Sequence, residues 1–270
     1  MPEGHTLHRL ARLHQRRYAG KPVAVSSPQG RFAAEAALVD GRTLVRAEAH
    51  GKHLFHRYGP DAIVHIHLGL IGVFDEYKLP ESDPVGQVRM RMLGEAYGTD
   101  LRGPNICEVI DEARVAAIHA RLGADPLRKD AEPEQAFKRI SRSKMPIAAL
   151  LMDQSIIAGV GNVYRAEVLF RHNVYPYIEG RAVDHELWTA MWDDLVELMR
   201  YGVKTGRIDT VMPEHDPKVT GREPRKDRHG GEVYVYRRAG LPCLICGAEI
   251  QVAELASRRL YWCPVDQPAP

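Results

Sequence analysis

Hydrophobic and polar residues alternate in short runs over most of the first hundred residues. Alternation with a period of two is typical of strands that bury one face, and each run ends at glycine, proline or charged turn residues. A helical spacing precedes the runs, with Leu7, Leu10, Ala11 and Leu13 on one side of a predicted first helix. This part of the chain is therefore predicted to form one short helix and an antiparallel β-sandwich. The alternating runs cover residues 42–46, 53–58, 62–68 and 87–92.

The apolar spacing changes to that of helices after residue 104, and prolines separate the helical segments. We place a domain boundary at Gly103-Pro104. Region 204–232 is rich in glycine, proline and charge, so it is expected to form a mobile loop or a plain linker. Strands are predicted again at 233–238 and 249–253. The predicted helices are 110–122, 132–140, 146–153, 163–172 and 185–201.

These patterns predict a multi-domain α+β protein in three parts. Residues 1–104 form the β-sandwich, 105–232 the helical domain and 233–270 a β-hairpin. The composition, with 44% hydrophobic and 27% charged residues, is that of a globular protein. No stretch approaches the roughly 18 apolar residues of a membrane span, and the start does not resemble a secretory signal. We therefore expect a cytoplasmic protein with no membrane partner.

Basic residues are grouped toward the C-terminal half, although the net charge is only +2. Such groups on a balanced chain indicate a local anionic partner, most simply a nucleic-acid backbone. A solvated face is the alternative for each group. The groups are Arg139, Arg142 and Lys144; Arg222, Arg225, Lys226 and Arg228; and Arg237, Arg238, Arg258 and Arg259.

Three of the four cysteines lie near the C-terminus. Cys243 and Cys246 form a CxxC pair, and after sixteen further residues Cys263 and Asp266 repeat that spacing with aspartate in the fourth place. An odd number of cysteines grouped in this way favours metal binding over disulfides in a cytoplasmic chain. Aspartate is an acceptable zinc ligand, so two possibilities stand: a structural zinc site, or a hairpin that packs without metal. The isolated Cys107 is expected to be a small buried residue.

The chain opens Met1-Pro2-Glu3-Gly4, so removal of Met1 would expose a secondary amine beside a carboxylate. An α-amino group titrates at about pH 7.7–8.0, so roughly a tenth of it is unprotonated at neutral pH and can attack a carbonyl carbon. A secondary amine condenses with an aldehyde to a cationic iminium, which promotes elimination of groups β to the former carbonyl. The alternative is an ordinary start in which Glu3 is a first-turn helix charge.

Six motifs appear in order, and together they resemble the formamidopyrimidine-DNA glycosylase and endonuclease VIII family of base-excision repair enzymes. The resemblance runs from residue 2 to about residue 267. It implies an N-terminal β-sandwich and a C-terminal helical domain with a helix–two-turn–helix and a zinc-finger hairpin, with DNA in the cleft between them. The motifs are Pro-Glu-Gly at 2–4, Gly-Lys-His-Leu-Phe at 51–55, His-Leu-Gly-Leu at 67–70, Leu-Met-Asp-Gln at 151–154, Gly-Val-Gly-Asn-Val-Tyr at 159–164, and Val-Tyr-Arg-Arg at 235–238 with Tyr-Trp-Cys-Pro at 261–264.

At two positions the chain departs from the formamidopyrimidine branch of that family and resembles the endonuclease VIII branch. Gly4 follows Pro-Glu, whereas the formamidopyrimidine branch usually continues with Leu-Pro-Glu. The segment Ile147-Ala148-Ala149-Leu150 stands where that branch commonly carries Ile-Lys. The resemblance therefore implies a preference for oxidised pyrimidines over 8-oxoguanine, although pocket shape also governs base choice.

The resemblance also implies roles for four residues of the N-terminal half. Pro2 would attack C1′ of the damaged nucleotide, and Glu3, with a pKa raised by partial burial, would shuttle protons at the ribose oxygen. Lys52 would contact a phosphate near the lesion and assist base loss. Without the other motifs, the interpretation of this residue is an exposed hairpin lysine. Leu70 would enter the gap left by the everted base, whereas a lone leucine more often belongs to a core.

Two further roles fall in the C-terminal half. Asn162 precedes a predicted helix, where its amide and the free backbone N–H groups would hold a phosphate; the alternative is a plain helix-start turn. Arg258 lies five residues before Cys263, where the finger arginine of the family falls, and would clamp a phosphate beside the everted nucleotide. Arg259 takes that role if the hairpin register differs by one residue.

These observations leave two functional hypotheses. The first is a bifunctional DNA glycosylase and abasic-site lyase that uses Pro2, Glu3, Lys52 and Arg258 and no redox cofactor. The second is a binding module that recognises abasic sites, single strands or forks without efficient chemistry, because the altered finger misplaces Arg258. In both, the expected state is a monomer on damaged DNA, duplex or single-stranded, associated with the nucleoid. A nicking assay on an abasic oligonucleotide separates the two.

Overall fold

The computed structural model describes residues 2–226 and 231–270. The chain divides into two compact units, Met1–Arg121 and Leu122–Pro270, each with its own hydrophobic core. Arg228 of the second basic group lies outside the described residues, as does Met1. Within the described ranges, no helix is both long enough and apolar enough to cross a bilayer.

The first unit contains two antiparallel sheets of four strands each. Its strands are β1 Ala24–Ser26, β2 Arg46–His50, β3 His53–Gly59, β4 Ala62–His67, β5 Val73–Lys78, β6 Val88–Leu93, β7 Tyr97–Arg102 and β8 Ile106–Ile110. The strand order is β1-β6-β7-β5 in one sheet and β2-β3-β4-β8 in the other. Three of the alternating runs become β3, β4 and β6, so the predicted antiparallel sheets are confirmed.

Three helices accompany these sheets: α1 Gly4–Tyr18, α2 Ala33–Val39 and α3 Glu112–His119. Helix α1 buries Leu7, Ala11 and Tyr18 in the core that it shares with the inward-facing strand residues. This is the apolar side that the spacing predicted, and burial of such side chains is the main favourable contribution to folding. Cys107 on β8 packs against the same core, and burial raises the pKa of its thiol to about 12.

One predicted strand of the first unit is wrong. The run at 42–46 contributes only its last residue, Arg46, to β2. Thr43 instead pairs with Pro22 in an isolated bridge. Gly41, with a φ of 69°, makes a tight turn just before this run, so the run forms a short bridge and not a strand.

The first compact unit extends to Arg121, past the predicted boundary at Gly103-Pro104. Strand β8 pairs with β4 along its whole length, so the chain beyond residue 104 still belongs to the sheet of the first unit. Helix α3 follows directly, because the side chain of Asp111 accepts a hydrogen bond from the Arg114 N–H and caps the helix.

The second unit is mainly helical and ends in a hairpin. Its elements are α4 Pro133–Ile140, α5 Ile147–Leu150, α6 Asn162–Arg171, α7 His185–Thr205 and α8 Pro217–Thr220, 3-10 turns at Gly180–Ala182 and Pro213–His215, and strands β9 Gln251–Leu255 and β10 Arg258–Trp262. Each of the four helices predicted between residues 132 and 201 has a counterpart here, although the segment at 146–153 is helical only over α5.

The described part of region 204–232, residues 204–226 and 231–232, contains regular elements that the predicted loop lacks. Helix α7 continues to Thr205 and ends at Gly206, whose φ of 78° requires a left-handed conformation that glycine adopts readily. The 3-10 turn Pro213–His215 and helix α8 then follow within the region. Pro213 begins the 3-10 turn, and Asp216 caps helix α8 before Pro217, so residues that predicted a linker by composition are helix starts here.

The predicted strand at 233–238 is also wrong. The backbone N–H groups of Tyr234, Val235 and Tyr236 donate to the buried carboxylate of Glu167 on α6, at 2.7, 2.9 and 2.8 Å. These donors are therefore taken by a side chain and not by a neighbouring strand. The segment packs into the core of the second unit, so residues 233–270 belong to the same compact unit as the helices.

Candidate functional site

The amino-terminal residues stand at the start of helix α1. Glu3 adopts an extended conformation and occupies the N-cap position, and its carbonyl accepts a hydrogen bond of 2.9 Å from the Thr6 N–H. Its side chain is fully buried, whereas Pro2 is half-buried. The helix therefore fixes the backbone of Glu3 and places Pro2 immediately before it, at the positive end of the helix dipole.

Lys52 lies in the two-residue turn that joins β2 to β3. His50 and His53 pair across the strands, and Gly51 takes a φ of 56° between them. A turn of this length needs a positive φ, which glycine provides without steric cost. The half-buried Lys52 is thereby held at the tip of a short hairpin, as its position after glycine predicted.

Histidine side chains line the sheet next to this turn. His53 Nδ1 lies 2.8 Å from His65 Nε2, and His65 Nδ1 lies 3.0 Å from a carboxylate oxygen of Glu108. The ring of His67 lies 5.1 Å from that of His53. Burial, together with the neighbouring histidines, lowers the pKa of His53 to about 3. Burial and the charge of Lys52 also lower the pKa of His67, so a neutral histidine cluster adjoins the lysine.

These histidines are not among the residues that the sequence patterns predict for the site. His65 and His67 alternate within a predicted strand, and His53 occupies the paired position on the preceding strand. Alternation places such residues on one face of the sheet. The alternation of His65 and His67 is therefore the sequence feature that indicates this cluster.

Leu70 lies in the turn between β4 and β5 and is 58% exposed. The core alternative for this leucine is therefore wrong. Ile71, which follows it, is exposed as well, so two large apolar side chains project from one turn. Gly69, with a φ of 67°, allows the chain to turn just before them.

Asn162 begins helix α6 but its amide is engaged within the second unit. The side chain is buried, and its Nδ2 donates to the backbone carbonyl of Arg259 at 2.9 Å. Gly161, the N-cap residue, makes no side-chain capping bond. The structure thus brings Asn162 together with strand β10, a contact between residues distant in sequence.

Arg165 is a further residue of this group that sequence reasoning missed. Its side chain is 0% exposed and donates to Asn162 Oδ1 and, at 3.0 Å, to the same Arg259 carbonyl. It also donates to the carbonyl of Ala148 on α5 at 3.4 Å. An arginine in the first turn of a predicted helix is expected at the surface, so the neighbouring sequence does not predict that Arg165 is buried.

Arg258 is the first residue of β10 and is exposed. It pairs with Leu255 across the hairpin, and the two turn residues Ala256 and Ser257 have φ values of 51° and 57°. Non-glycine residues in the left-handed region cost free energy, so this turn is strained. Arg259, our alternative phosphate ligand, pairs with Glu254 in the same register.

Cys243, Cys246, Cys263 and Asp266 come together at the base of the hairpin, with one ligand atom from each within 4.8 Å of the others. The N–H groups of Ile245 and Asp266 each point at a cysteine sulfur at 3.4 Å, as in knuckles that hold metal ions. Three thiols and a carboxylate so arranged fit a tetrahedral ion. The four predicted metal ligands are therefore able to hold one metal ion.

Family models match both units of the chain. The formamidopyrimidine-DNA glycosylase N-terminal domain matches residues 1–105, and the formamidopyrimidine-DNA glycosylase H2TH domain matches residues 122–213. The second match spans the helices α4 to α7, in which Asn162 and Arg165 lie.

Whole-chain relatives agree with these matches. The chain is 56% identical over 271 residues to endonuclease 8 1 of Mycobacterium tuberculosis, covering 99% of this chain and 100% of the relative. It is 32% identical over 283 residues to endonuclease 8 2 of Mycobacterium bovis, with 99% and 100% covered.

A solved structure shares the fold. It is a formamidopyrimidine-DNA glycosylase of Lactococcus lactis bound non-covalently to DNA that contains an abasic site. The TM-score is 0.76 at 20% identity, over 99% of this chain and 100% of that one. The two sheets, the helical unit with its metal-ligand cluster and these similarities together show that the chain belongs to the formamidopyrimidine-DNA glycosylase and endonuclease 8 family of DNA-repair enzymes, which are DNA N-glycosylases with abasic-site lyase activity.

Proposed function

We propose that this enzyme removes oxidised pyrimidines from DNA and then nicks the strand by β- and δ-elimination through a Schiff base on Pro2. The observation that carries the proposal is the position of Pro2 directly before Glu3, a fully buried N-cap residue of α1. A nucleophilic amine and a carboxylate are thereby held next to each other by a helix start. Loss of Met1 is the one processing step that this mechanism requires.

The proposed chemistry begins at C1′ of the damaged nucleotide. The Pro2 nitrogen bonds to C1′ as the bond from C1′ to the base breaks, and the base leaves with a proton. In the same step Glu3 supplies a proton to the ribose ring oxygen, so the ring opens to the iminium as the base leaves. Loss of a C2′ proton expels the 3′ phosphate, and loss of a C4′ proton expels the 5′ phosphate. Water finally hydrolyses the iminium and restores the Pro2 amine.

Each unit contributes side chains suited to the DNA backbone. Lys52 offers a cation at the tip of a rigid hairpin turn, and Arg258 offers an exposed guanidinium at the tip of another. We assign both to phosphates near the lesion, Arg258 as a bidentate ligand. Leu70 is assigned to the gap that the everted base leaves, because an exposed apolar side chain gains by entering a base stack.

The preference for pyrimidines is supported by Gly4 and by the Ile147–Leu150 segment, both of which depart from the formamidopyrimidine branch. The relatives at 56% and 32% identity are both named endonuclease 8. These similarities favour oxidised pyrimidines over 8-oxoguanine as substrates of this chain.

We propose zinc as the ion held by Cys243, Cys246, Cys263 and Asp266. Zinc favours tetrahedral sites with thiolate ligands and tolerates a carboxylate oxygen among them. When bound, it supplies a cross-link that holds the hairpin, with no part in the bond-breaking steps. No redox cofactor is required, because the elimination steps leave the electron count of the enzyme unchanged.

Borohydride trapping on an abasic oligonucleotide tests the mechanism directly. We expect a covalent adduct that digestion and mass spectrometry locate on Pro2 and that requires the loss of Met1. Glu3→Gln is expected to keep trapping with abasic DNA but to lose at least 100-fold in base removal. Glu95→Gln, an exposed carboxylate of the same unit, is the matched control.

Two outcomes would contradict parts of this proposal. Tight, salt-dependent binding without a nick would favour the binding module over the lyase. A lesion panel in which 8-oxoguanine is cut faster than oxidised pyrimidines would overturn the substrate preference. Light scattering of the free protein checks the proposed monomer, and fluorescence imaging of tagged protein in cells checks the proposed association with the nucleoid.

A further inference from the structure

A guanidinium lies buried at the junction of three elements in the second unit. Arg165 of α6 is 0% exposed and donates to Ala148 on α5, to Asn162 at the start of α6, and to Arg259 on β10. These three hydrogen bonds end on uncharged oxygens. These contacts tie the guanidinium to three elements, so it acts on the position of the groups around it.

Two donors converge on one backbone carbonyl of the hairpin. Asn162 Nδ2 lies 2.9 Å and an Arg165 nitrogen 3.0 Å from the carbonyl oxygen of Arg259. Arg165 also donates to the amide oxygen of Asn162, which leaves that amide one orientation with its nitrogen toward Arg259. The three groups form a closed triangle of hydrogen bonds.

The carbonyl that receives both donors is one residue from Arg258. Strand β10 begins at Arg258, immediately after the strained turn at Ala256 and Ser257. A two-stranded hairpin is weakly stable by itself, so its outer end needs support from elsewhere in the fold. The triangle supplies that support at the residue next to the arginine.

The same cation adds positive potential where helix α6 begins. The first turn of α6 carries the positive end of the helix dipole. The helix dipole and the charge of Arg165 act in the same direction there. An anion near the first turn of α6 is favoured by both.

We propose that Arg165 is a positioning residue for the reaction: it orients Asn162, anchors the strand that carries Arg258, and adds its charge to the phosphate-binding end of α6. This inference rests on the proposed function, because it concerns how Asn162 and Arg258 meet DNA phosphates. The fork geometry serves the two positioning roles, and the positive charge serves the third. Lysine keeps the charge but not the fork, so the two contributions are separable.

Hydrogen exchange on the DNA-free protein tests the positioning role without any reaction. In Arg165→Met we expect amide exchange to rise at least tenfold in Gln251–Leu255 and Arg258–Trp262, with wild-type exchange in α7. In Arg165→Lys we expect a similar rise in the hairpin, because the fork is lost. Arg181→Met, an exposed arginine of the same unit, is the control and should match the wild type. A uniform rise in the whole unit, or wild-type exchange in the hairpin, would overturn the positioning role.

Binding and nicking of DNA with an abasic site give the second readout. A non-cleavable tetrahydrofuran abasic analogue reports binding, and the natural abasic site reports single-turnover nicking. We expect Arg165→Met to weaken binding at least tenfold and to slow nicking at least tenfold, and Arg165→Lys to recover binding to within threefold while nicking stays slow. Equal behaviour of the two variants would remove the charge contribution.

The two proposals fail in different ways. If the wild-type protein does not nick abasic DNA, the proposed function fails, and the exchange experiment still decides whether Arg165 anchors the hairpin. If the wild type nicks and both Arg165 variants nick at its rate, only the positioning role is overturned.

Discussion

His53 donates a hydrogen bond from Nδ1 to Nε2 of His65 at 2.8 Å, beside the turn that carries Lys52. The direction of this hydrogen bond follows from the contact that His65 makes with Glu108. Glu108 accepts from Nδ1 of His65 at 3.0 Å, so neutral His65 presents its lone pair at Nε2. Burial lowers the pKa of both rings, which keeps both imidazoles neutral near pH 7.

The first prediction concerns stability against pH. Folding lowers the pKa of His53 from 6.5 to about 3, so the unfolded chain takes up a proton at a higher pH than the folded chain does. The contribution of neutral His53 to stability is complete above about pH 6.5 and is lost as the pH falls toward 3. In His53→Phe, the free energy of unfolding should fall less steeply between pH 6 and 4, by up to about 1.4 kcal/mol per pH unit.

Urea unfolding of the wild type and the variant at pH 7, 6, 5 and 4 measures this difference. His185→Phe replaces an exposed histidine of the second unit and should retain the wild-type slope. Parallel wild-type and His53→Phe slopes would show that His53 titrates alike in both states, against the prediction.

The second prediction concerns the buried carboxylate of Glu167. It accepts from three consecutive backbone N–H groups and, at 2.6 Å, from the hydroxyl of Thr210. In Glu167→Gln an amide NH₂ replaces one acceptor oxygen and faces donors. Leaving these buried donors unsatisfied should destabilise the protein by about 3 kcal/mol. Thermal unfolding measures the loss, and Glu197→Gln, on the exposed side of α7, should be near wild type.

The third prediction concerns the metal site. Asp266→Cys would turn a three-thiol, one-carboxylate site into a four-thiol site, which suits zinc better. We expect zinc release to a competing chelator to slow by about tenfold, since each 1.4 kcal/mol of extra ligand affinity is a factor of ten. A colorimetric chelator assay follows the release. Val265→Ala, an exposed neighbour, is the control, and release from Asp266→Cys at the wild-type rate would argue that the residue at position 266 is not a ligand.

The fourth prediction concerns the hairpin turn, where Ala256 and Ser257 both have positive φ. Asn-Gly is the pair best suited to two such positions, so Ala256→Asn combined with Ser257→Gly should stabilise the hairpin by about 1 kcal/mol. Slower amide exchange in β9 and β10 would report the gain. Ser141→Gly, at a φ of −64°, relieves no strain and should destabilise the protein slightly. If the double variant exchanges faster, the turn is not a source of strain.

The alternating runs predicted the strands of the sheets correctly but predicted strands wrongly in segments near turns. His53–Gly59 and Ala62–His67 formed strands because inward residues such as Leu54 and Ile66 had a core to enter. The run at 233–238 has a similar pattern but forms no strand, because Glu167 binds its backbone donors. Local propensity does not record which donors a distant side chain takes.

The family could be predicted from the sequence, and so could candidate roles for Pro2, Lys52 and the cysteines, because motifs of that kind depend on residue type and short spacing. The links among Asn162, Arg165 and Arg259 were not, since a residue almost a hundred positions away completes them.

The sequence alone determined most of the strands and helices, since periodicity selects the buried face, and which chemical groups the chain offers. Only the tertiary structure decided that Leu70 is exposed, that the first compact unit extends to Arg121 and that buried Arg165 donates to the Arg259 carbonyl on β10. The physical reason is that burial and hydrogen-bond partners are properties of packed surfaces, and residues far apart in the chain create those surfaces together.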